Sequence, residues 1–258
     1  MKVVILAGGY GTRISEETQN KPKPLVEIGN NPILWHILKH YSFYGFNDFI
    51  ISGGYRIQQL KEYFINFDIF NNDIEVNLET KKTKILKNNQ LKWNIKIINT
   101  GLHTNTAGRI LGVKKYLNKD ENFLMTYGDG LSNINLNKLI NLHQKNNPLV
   151  TLSAVNLKGR FGSLEINKNI VQSFIEKPRV HKSFINGGFF VISNKIFKFI
   201  KNNNQSFEND ILPKISRMKK LQAYKHNGFW QAMDTIRDKE MLELEWNKNN
   251  CPWRIWSD

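Results

Sequence analysis

Short apolar runs alternate with longer amphipathic stretches through the first 155 residues. The runs "VVILA" (3–7), "DFIIS" (48–52), "NFLMTY" (122–127) and "LVTLSAV" (149–155) predict buried strands. Helical periodicity marks "PILWHILKHYSFYG" (32–45), "RIQQLKEYFINF" (56–67), "NTAGRILGVKKYL" (105–117) and "NLNKLINLHQKN" (135–146), with Asn31 as the predicted N-cap of the first. Because strands separated by helices form parallel sheets, this order predicts an α/β fold with helices on both faces of a mainly parallel sheet.

Two segments interrupt this alternation. Residues 74–98 alternate with period two around "KNNQ", which predicts an antiparallel β-hairpin inserted into the fold. Residues 163–193 contain three short strand patterns without a helix between them, which predicts a small second sheet. A last helix is predicted in "TIRDKEMLELEWNKN" (235–249). With no repeat and no low-complexity linker, residues 1–258 are expected to form a single domain.

The charge balance is strongly basic, with 37 Lys and Arg against 22 Asp and Glu, a net charge of +15. The lysines are scattered along a chain that is rich in Lys, Asn and Ile, and they form no basic stripe. This favours compositional bias with some focusing of anionic substrates over a nucleic-acid surface. A basic nucleic-acid-binding protein remains an alternative that rests on charge alone, and it predicts steeply salt-dependent binding.

Cysteine content and hydropathy bear on the compartment. Cys251 is the single cysteine, so no disulfide can form within the chain, as is typical of a reducing compartment. No apolar run approaches the roughly 20 residues that a membrane span needs, and the first strand pattern starts at residue 2. We therefore expect a cytoplasmic protein without signal peptide, membrane partner or nucleic-acid partner.

The stretch "LAGGYGTRIS" (6–15) follows directly on the first predicted strand. Ligands bind at the carboxyl edge of such sheets, and a glycine-rich turn there can point several backbone N–H groups at phosphate oxygens. The dinucleotide fingerprint fails because Ile14 stands where its third glycine belongs, and no phosphate-loop GK[ST] follows. Instead Arg13 offers a planar cation suited to pyrophosphate, and Lys23 stands between two prolines that stiffen the chain.

Further motifs follow in order along the chain: "KPKPLVEIGNNPILWHI", "TYGDGL", "GRFGSLEI", "SFIEKP", "INGGFFV", "FENDILPKI" and "GFWQAMDTIRDKEMLE". Together with the glycine loop they resemble the nucleotidyltransferases that join a sugar 1-phosphate to a nucleoside triphosphate, especially the branch that uses CTP and glucose 1-phosphate. The resemblance implies a Rossmann-like nucleotide-diphospho-sugar transferase fold, release of pyrophosphate, Mg²⁺ as cofactor and a homo-oligomer, often a hexamer.

The resemblance also implies roles for individual residues. Asp129 and Asp234 match the family's metal ligands, carboxylates being the hard oxygen donors that Mg²⁺ requires. For Asp129 the alternative is a plain turn residue before Gly130. Arg13 and Lys23 would act on the phosphates. The implied nucleotide contacts are Leu6, Ala7, Gly8, Gly9, Tyr10, Gly11, Thr12, Arg13, Lys23, Thr104, Arg109 and Gly128, and the implied sugar-phosphate contacts are Gly162, Glu176, Lys177, Asn186 and Gly187.

Base choice depends on "TNTAGRI" (104–110). We expect Arg109 to donate to O2 or N3 of cytosine, which would favour CTP because N3 of uracil carries hydrogen. Two alternatives stay open: the same chemistry with another base or sugar phosphate, and a nucleotide-sensing homologue without catalysis. His36 and His40 have the i, i+4 spacing of metal ligands, but no third ligand accompanies them, so helix packing or exposure to solvent is the preferred interpretation.

Overall fold

The computed structural model of the chain describes residues 1–86, 91–117, 122–156, 163–167, 170–175, 184–248 and 250–256. The strands within these ranges are β1 (Val3–Ala7), β2 (Glu27–Ile28), β3 (Asn31–Pro32), β4 (Asp48–Gly53), β5 (Ile74–Asn77), β6 (Lys82–Ile85), β7 (Asn94–Asn99), β8 (Phe123–Tyr127), β9 (Gly130–Ser132), β10 (Val150–Asn156), β11 (Ser163–Asn167), β12 (Ile170–Ile175), β13 (Phe184–Ile192), β14 (Leu221–His226) and β15 (Trp230–Ala232). The helices are α1 (Ser15–Thr18), α2 (Ile33–Phe43), α3 (Ile57–Ile65), α4 (Phe67–Asn71), α5 (Thr106–Gly112), α6 (Leu136–Asn146), α7 (Leu212–Arg217) and α8 (Ile236–Trp246).

Seven strands form the central sheet in the order β14-β10-β13-β8-β1-β4-β7. All neighbours pair in parallel except β13, which is antiparallel to both β10 and β8. The predicted mixed, mainly parallel α/β sheet is therefore confirmed. Because β8, β1, β4 and β7 run in the same direction, the loops that follow all four emerge at one edge of the sheet.

Two hydrophobic clusters lie on opposite faces of the sheet. Along β1, Val3 and Ile5 contribute to one cluster and Val4 and Leu6 to the other, as the alternation of side chains in a strand requires. The first face is covered by α2, α6 and α8, and the second by α5 and α7. Burial on both faces explains why the central strands are continuous apolar runs. Among the described residues, no helix has the length and apolar character needed to cross a bilayer.

The predicted N-cap of α2 is wrong. Glu27–Ile28 and Asn31–Pro32 pair as a tight antiparallel turn, whose central residues Gly29 and Asn30 both have positive φ angles of 57° and 64°. Asn31 is therefore part of a strand pair, and Pro32 takes the position before the helix. A short turn ahead of the helix decides the conformation of Asn31, which its capping propensity alone could not reveal.

The two predicted insertions are smaller than expected and need correction. The hairpin predicted over 74–98 is β5 paired with β6, so its turn precedes "KNNQ", which lies outside the described residues. The segment 94–99 instead forms β7, which pairs in parallel with β4 and adds an edge strand to the central sheet. In the described part of the 163–193 region, β11 and β12 form a separate sheet. The third segment is β13, whose apolar side chains complete the core between β8 and β10.

His36 and His40 are buried on α2, as the packing interpretation predicted. His36 Nε2 donates to the carbonyl oxygen of Ile28 at 2.8 Å, and its Nδ1 lies 3.4 Å from Trp253 Nε1. One donor and one acceptor match a neutral imidazole. Burial lowers the pKa of His36 to about 4 and that of His40 to about 3.

These two histidines are expected to make the fold sensitive to acid. Their folded pKa values lie below the usual 6.5, so the unfolded chain takes up protons first and stability falls as the pH drops below 6.5. Between pH 7 and pH 5 the loss is about 2 kcal/mol for each histidine. Denaturant titrations should give a shallower pH slope for His40→Leu. The matched change at exposed His103, to Gln, should leave the slope unchanged, and an unaltered slope in both variants contradicts the prediction.

Candidate active site

A cavity of about 800 Å³ opens where β1, β8 and the neighbouring loops end, within the size range of ligand sites. Its walls come from the glycine loop after β1, the 102–106 loop before α5, the 128–130 turn after β8, and parts of β13 and β15. Segments more than 200 residues apart therefore meet at the carboxyl edge of the sheet, the place where open α/β sheets bind ligands.

The glycine loop is built around two positions that exclude a side chain. A Cβ on Gly8 would stand 2.0 Å from the guanidinium of Arg109, so no other residue fits there without moving that group. Gly11 has a φ of 70°, and a Cβ there would also meet Thr18 at 2.8 Å. These constraints explain two of the three glycines of "AGGYG": Gly8 permits a close approach, and Gly11 permits a left-handed backbone.

The side chain of Arg109 lies against the glycine loop and stabilises it. This side chain is buried, and burial lowers the pKa of its guanidinium. The two terminal nitrogens contact the hydroxyl oxygen of Thr100 and the carbonyl oxygens of Gly8, Gly53, Gly101 and Leu102, at distances from 2.9 to 3.3 Å. The structure thus places these nitrogens on the loops that follow β1, β4 and β7. Direct donation from Arg109 to cytosine stays a prediction.

Four charged side chains converge at the cavity floor. Lys23 is 8% exposed, and its Nζ donates to Asp129 Oδ2 at 2.5 Å and to Asp234 Oδ1 at 2.7 Å. Arg13 Nη1 donates to the other oxygen of Asp234 at 2.7 Å. Burial alone would lower the pKa of the Lys23 ammonium, but the two hydrogen-bonded carboxylates raise it above 10.5. Lys23 is therefore held as a cation between two carboxylates.

A small two-stranded sheet brings Asp129 and Asp234 together. Its strands β9 and β15 pair antiparallel, and the N–H of Met233 donates to the carbonyl oxygen of Asp129 at 2.9 Å. Buried Asp238 then orients the next residues: one of its oxygens accepts from the N–H groups of Asp234 and Thr235 and from the Thr235 hydroxyl. The bond from the Thr235 N–H, together with the Asp238 N–H donating to the Thr235 hydroxyl oxygen, forms the capping box of α8. Asp234 is thus presented from a rigid helix start.

The opposite wall is formed by the start of β13. Asn186 and Gly187 line the cavity there, and Trp230 Nε1 donates to the carbonyl oxygen of Gly187 at 2.6 Å. Asn186 Oδ1 accepts from the N–H of Gly188 at 2.9 Å, which orients its amide. Gly162, Glu176 and Lys177, the other predicted sugar-phosphate contacts, lie outside the described residues.

All the other predicted site residues line this one cavity. They are Leu6, Ala7, Gly8, Gly9, Tyr10, Gly11, Thr12, Arg13, Lys23, Thr104, Arg109, Gly128, Asp129, Asn186, Gly187 and Asp234. Other lining residues were not predicted, among them three with polar groups in their side chains: Tyr127, Glu208 and Trp230. Their signal was available, since Glu208 belongs to "FENDILPKI" and Trp230 to "GFWQAMDT", motifs that the resemblance contains. No chemical reason in the sequence connected them to the cavity.

Comparisons with known proteins agree with this geometry. A family model described as nucleotidyl transferase matches residues 2–258. The glucose-1-phosphate cytidylyltransferase of Salmonella typhimurium LT2 is 43% identical over 256 residues, which is 99% of this chain and all of that protein. A probable glucose-1-phosphate cytidylyltransferase of Bacillus subtilis 168 is 42% identical over 257 residues, with equal coverage.

A solved structure provides a similar fold. HddC from Yersinia pseudotuberculosis, in complex with GMP-PN, superposes with a TM-score of 0.69 and 25% identity. The match covers 95% of this chain and 99% of that one. Since the family model spans nearly the whole chain and the curated relatives share more than 40% of its residues, the chain belongs to the nucleotidyl transferase family.

Proposed function

We propose that the protein transfers a cytidylyl group from CTP to α-D-glucose 1-phosphate and releases pyrophosphate. The observation that carries this proposal is the convergence of Arg13, Lys23, Asp129 and Asp234 beside a glycine loop in one cavity. The full-length similarity to glucose-1-phosphate cytidylyltransferases supports the choice of substrates.

The reaction is an in-line displacement that needs alignment and charge neutralisation rather than a covalent enzyme intermediate. A phosphate oxygen of the sugar 1-phosphate uses a lone pair to form a bond to the α-phosphorus of CTP. The bond from that phosphorus to the bridging oxygen breaks, and its electron pair leaves with pyrophosphate. The product is CDP-glucose.

The cations have distinct places in this scheme. The glycine-loop N–H groups and Arg13 bind the β- and γ-phosphates, and Arg13 is suited to the departing pyrophosphate because its side chain is 73% exposed at the cavity mouth. Buried Lys23 lies deeper and bridges the α-phosphate and the incoming sugar phosphate, so that two mutually repelling anions can approach.

Asp129 and Asp234 are suited to hold Mg²⁺. Both carboxylates reach the same ammonium group, so they are close enough to act on one cation, and Mg²⁺ prefers one or two carboxylates with phosphate and water oxygens. The charges of Arg13 and Lys23 are balanced by these two aspartates, so a triphosphate would bring uncompensated charge. When bound, Mg²⁺ supplies that compensation on the phosphates.

Asn186 and Gly187 are placed to contact the sugar phosphate, since they form the wall opposite the glycine loop. Gly162, Glu176 and Lys177 complete this part of the proposal on the resemblance alone. Thr104 and the 102–106 loop bound the base side of the cavity.

A substrate panel tests the proposed function. Purified protein is incubated with each nucleoside triphosphate and with several sugar 1-phosphates in Mg²⁺, and pyrophosphate release and product mass are measured. CTP with glucose 1-phosphate should give the highest kcat/KM. If another pair of substrates is turned over instead, the proposed substrates are wrong but the proposed type of reaction stands. If CTP binds tightly and no pyrophosphate is released, a nucleotide-sensing homologue is favoured.

Arg109→Lys is expected to lower kcat/KM about 10²-fold for CTP and UTP alike, because one ammonium cannot replace a guanidinium that contacts five oxygen atoms. The measurement is the ratio of kcat/KM for the two nucleotides in wild type and variant. A loss confined to CTP would instead favour direct donation from Arg109 to cytosine.

We also propose a homo-oligomer, with a hexamer as the size that the resemblance implies, and a cytoplasmic location, where CTP and sugar 1-phosphates are available. Support comes from apolar side chains exposed on neighbouring α3, α4 and the β5–β6 hairpin, among them Ile65, Phe70 and Leu78. Exposed apolar residues concentrated in one region are typical of an interface. Sedimentation velocity on the purified protein determines the number of subunits.

A further inference from the structure

Glu208 has no role in the scheme above, yet it lies in the cavity wall with both carboxylate oxygens engaged. It is half-buried on the π-helical turn Phe207–Ile211 that precedes α7. Its Oε2 accepts from the Thr106 hydroxyl at 2.5 Å and from the Ser206 hydroxyl at 2.9 Å, and its Oε1 accepts from the Tyr127 hydroxyl. A carboxylate held this way contacts residues from three separate segments of the chain.

One of these contacts reaches the nucleotide side. Thr106 is the first residue of α5, the helix that carries Arg109. Its hydroxyl oxygen also accepts from the N–H of Phe207 at 2.8 Å, and the N–H of Ala107 donates to Gln205 at 3.1 Å. The segment that carries Glu208 therefore fixes the start of α5 and, with it, the loop at residues 102–106 on the base side of the cavity.

The other contact reaches the sugar side. Tyr127 ends β8, two residues before Asp129, and its hydroxyl donates to Glu208 Oε1. The ring lies directly against the backbone of β13, because a Cβ on Gly188 would come within 2.8 Å of it. The N–H of Gly188 in turn donates to Asn186 Oδ1. The orientation of Tyr127 thus decides where the Asn186–Gly188 backbone can lie.

We propose that Glu208 is a positioning residue that couples the two substrate subsites: through Tyr127 it fixes the Asn186 wall, and through Thr106 it fixes the start of α5. This inference rests on the proposed function for the identity of the two ligands. It predicts a division of effects, because each partner of Glu208 belongs to one subsite. A residue that served only to stabilise the fold would change both KM values together.

Three conservative variants test the division. Tyr127→Phe should raise the KM for glucose 1-phosphate about tenfold and leave that for CTP within twofold, because a hydrogen bond to a charged group is lost on the sugar side alone. Thr106→Val should give the reverse pattern: the KM for CTP should rise about tenfold, and that for glucose 1-phosphate should stay within twofold. Glu208→Gln should raise both values, since its amide nitrogen cannot accept a bond. Exposed Glu240→Gln and Tyr116→Phe, outside the cavity lining, serve as matched controls and should match wild type.

If the wild-type protein is active, the KM values test the inference. The inference is overturned if each of Tyr127→Phe and Thr106→Val changes the KM for CTP and the KM for glucose 1-phosphate by the same factor. If wild type releases no pyrophosphate from CTP with any sugar 1-phosphate, the proposed function fails, and crystal structures of Tyr127→Phe and Thr106→Val still decide the inference. The Asn186 amide should move in the first variant and the start of α5 in the second. Unmoved positions in both structures contradict the positioning role.

Discussion

Asp129→Asn and Asp234→Asn are each expected to lower kcat by at least about 10³-fold while the protein stays folded. Asparagine keeps a carbonyl oxygen that can accept from the Lys23 ammonium, so the contacts of 2.5 and 2.7 Å have a neutral replacement. The negative charge that attracts a divalent cation is lost. The measurement is the steady-state rate of pyrophosphate release over a Mg²⁺ titration, with thermal unfolding recorded in parallel.

A matched control separates the loss of charge at the site from a general effect of the substitution. Asp68→Asn makes the same chemical change on exposed α4 and should leave kcat unchanged. Turnover within tenfold of wild type in both site variants would contradict the assignment of these carboxylates to a metal. If kcat falls in Asp129→Asn but not in Asp234→Asn, then Asp234 serves as a hydrogen-bond partner of Arg13 and Lys23 and is not a metal ligand.

Lys23→Ala is expected to have the second-largest effect, a fall in kcat of about 10²- to 10³-fold. The Lys23 ammonium is buried and bonds to both aspartates, whereas Arg13 is exposed and bonds to Asp234. Removing the ammonium also leaves two carboxylates facing each other without their shared donor, which costs about 2 kcal/mol of folding stability.

The two consequences can be measured separately. Because unpaired carboxylates attract divalent cations more strongly, the Tm of Lys23→Ala should rise more on addition of Mg²⁺ than the Tm of wild type. Lys21→Ala is the matched control: Lys21 is two residues away on the same loop, and its Nζ lies 4.0 Å from a carboxylate oxygen of Glu27. Equal kcat losses in the two lysine variants would show that the loop, rather than the Lys23 ammonium, carries the effect.

The fold class was readable from the sequence where strands are buried on both faces. Continuous runs such as "VVILA" are typical of strands buried on both faces, and β1 lies inside the sheet between β8 and β4. The pairing of the strands at the edges of the sheet was less predictable. The segment "WNIKII" alternates like a hairpin strand, but its partner is β4, which lies more than 40 residues earlier. Period two reports a half-exposed strand and carries no information about its partner.

The site divides in the same way. The glycine loop and Arg13 were assigned to a phosphate site because they follow a buried strand, and the resemblance supplied the roles of Lys23, Asp129 and Asp234. Residues that act by positioning other residues have no comparable signature in the sequence. Neither Glu208 nor Asp238 differs in sequence from an ordinary helix-start carboxylate, and only their contacts distinguish them.

Arg109 is an example of contacts that only the tertiary structure shows. By itself, an arginine on a helix facing a nucleotide pocket fits a base contact, and that was the prediction. The structure gives its terminal nitrogens to the hydroxyl of Thr100 and to carbonyl oxygens from the loops after β1, β4 and β7, which meet only because the three strands are adjacent and parallel.

The sequence by itself determined the alternation of strands and helices, the glycine loop and the set of charged side chains, because these depend on local periodicity and on residue chemistry. Only the tertiary structure decided which strands pair, that Lys23 lies between two aspartates 105 positions apart, and what Arg109 and Glu208 contact. Those relations depend on strand order and on the packing of distant segments, and no local pattern in the chain encodes either.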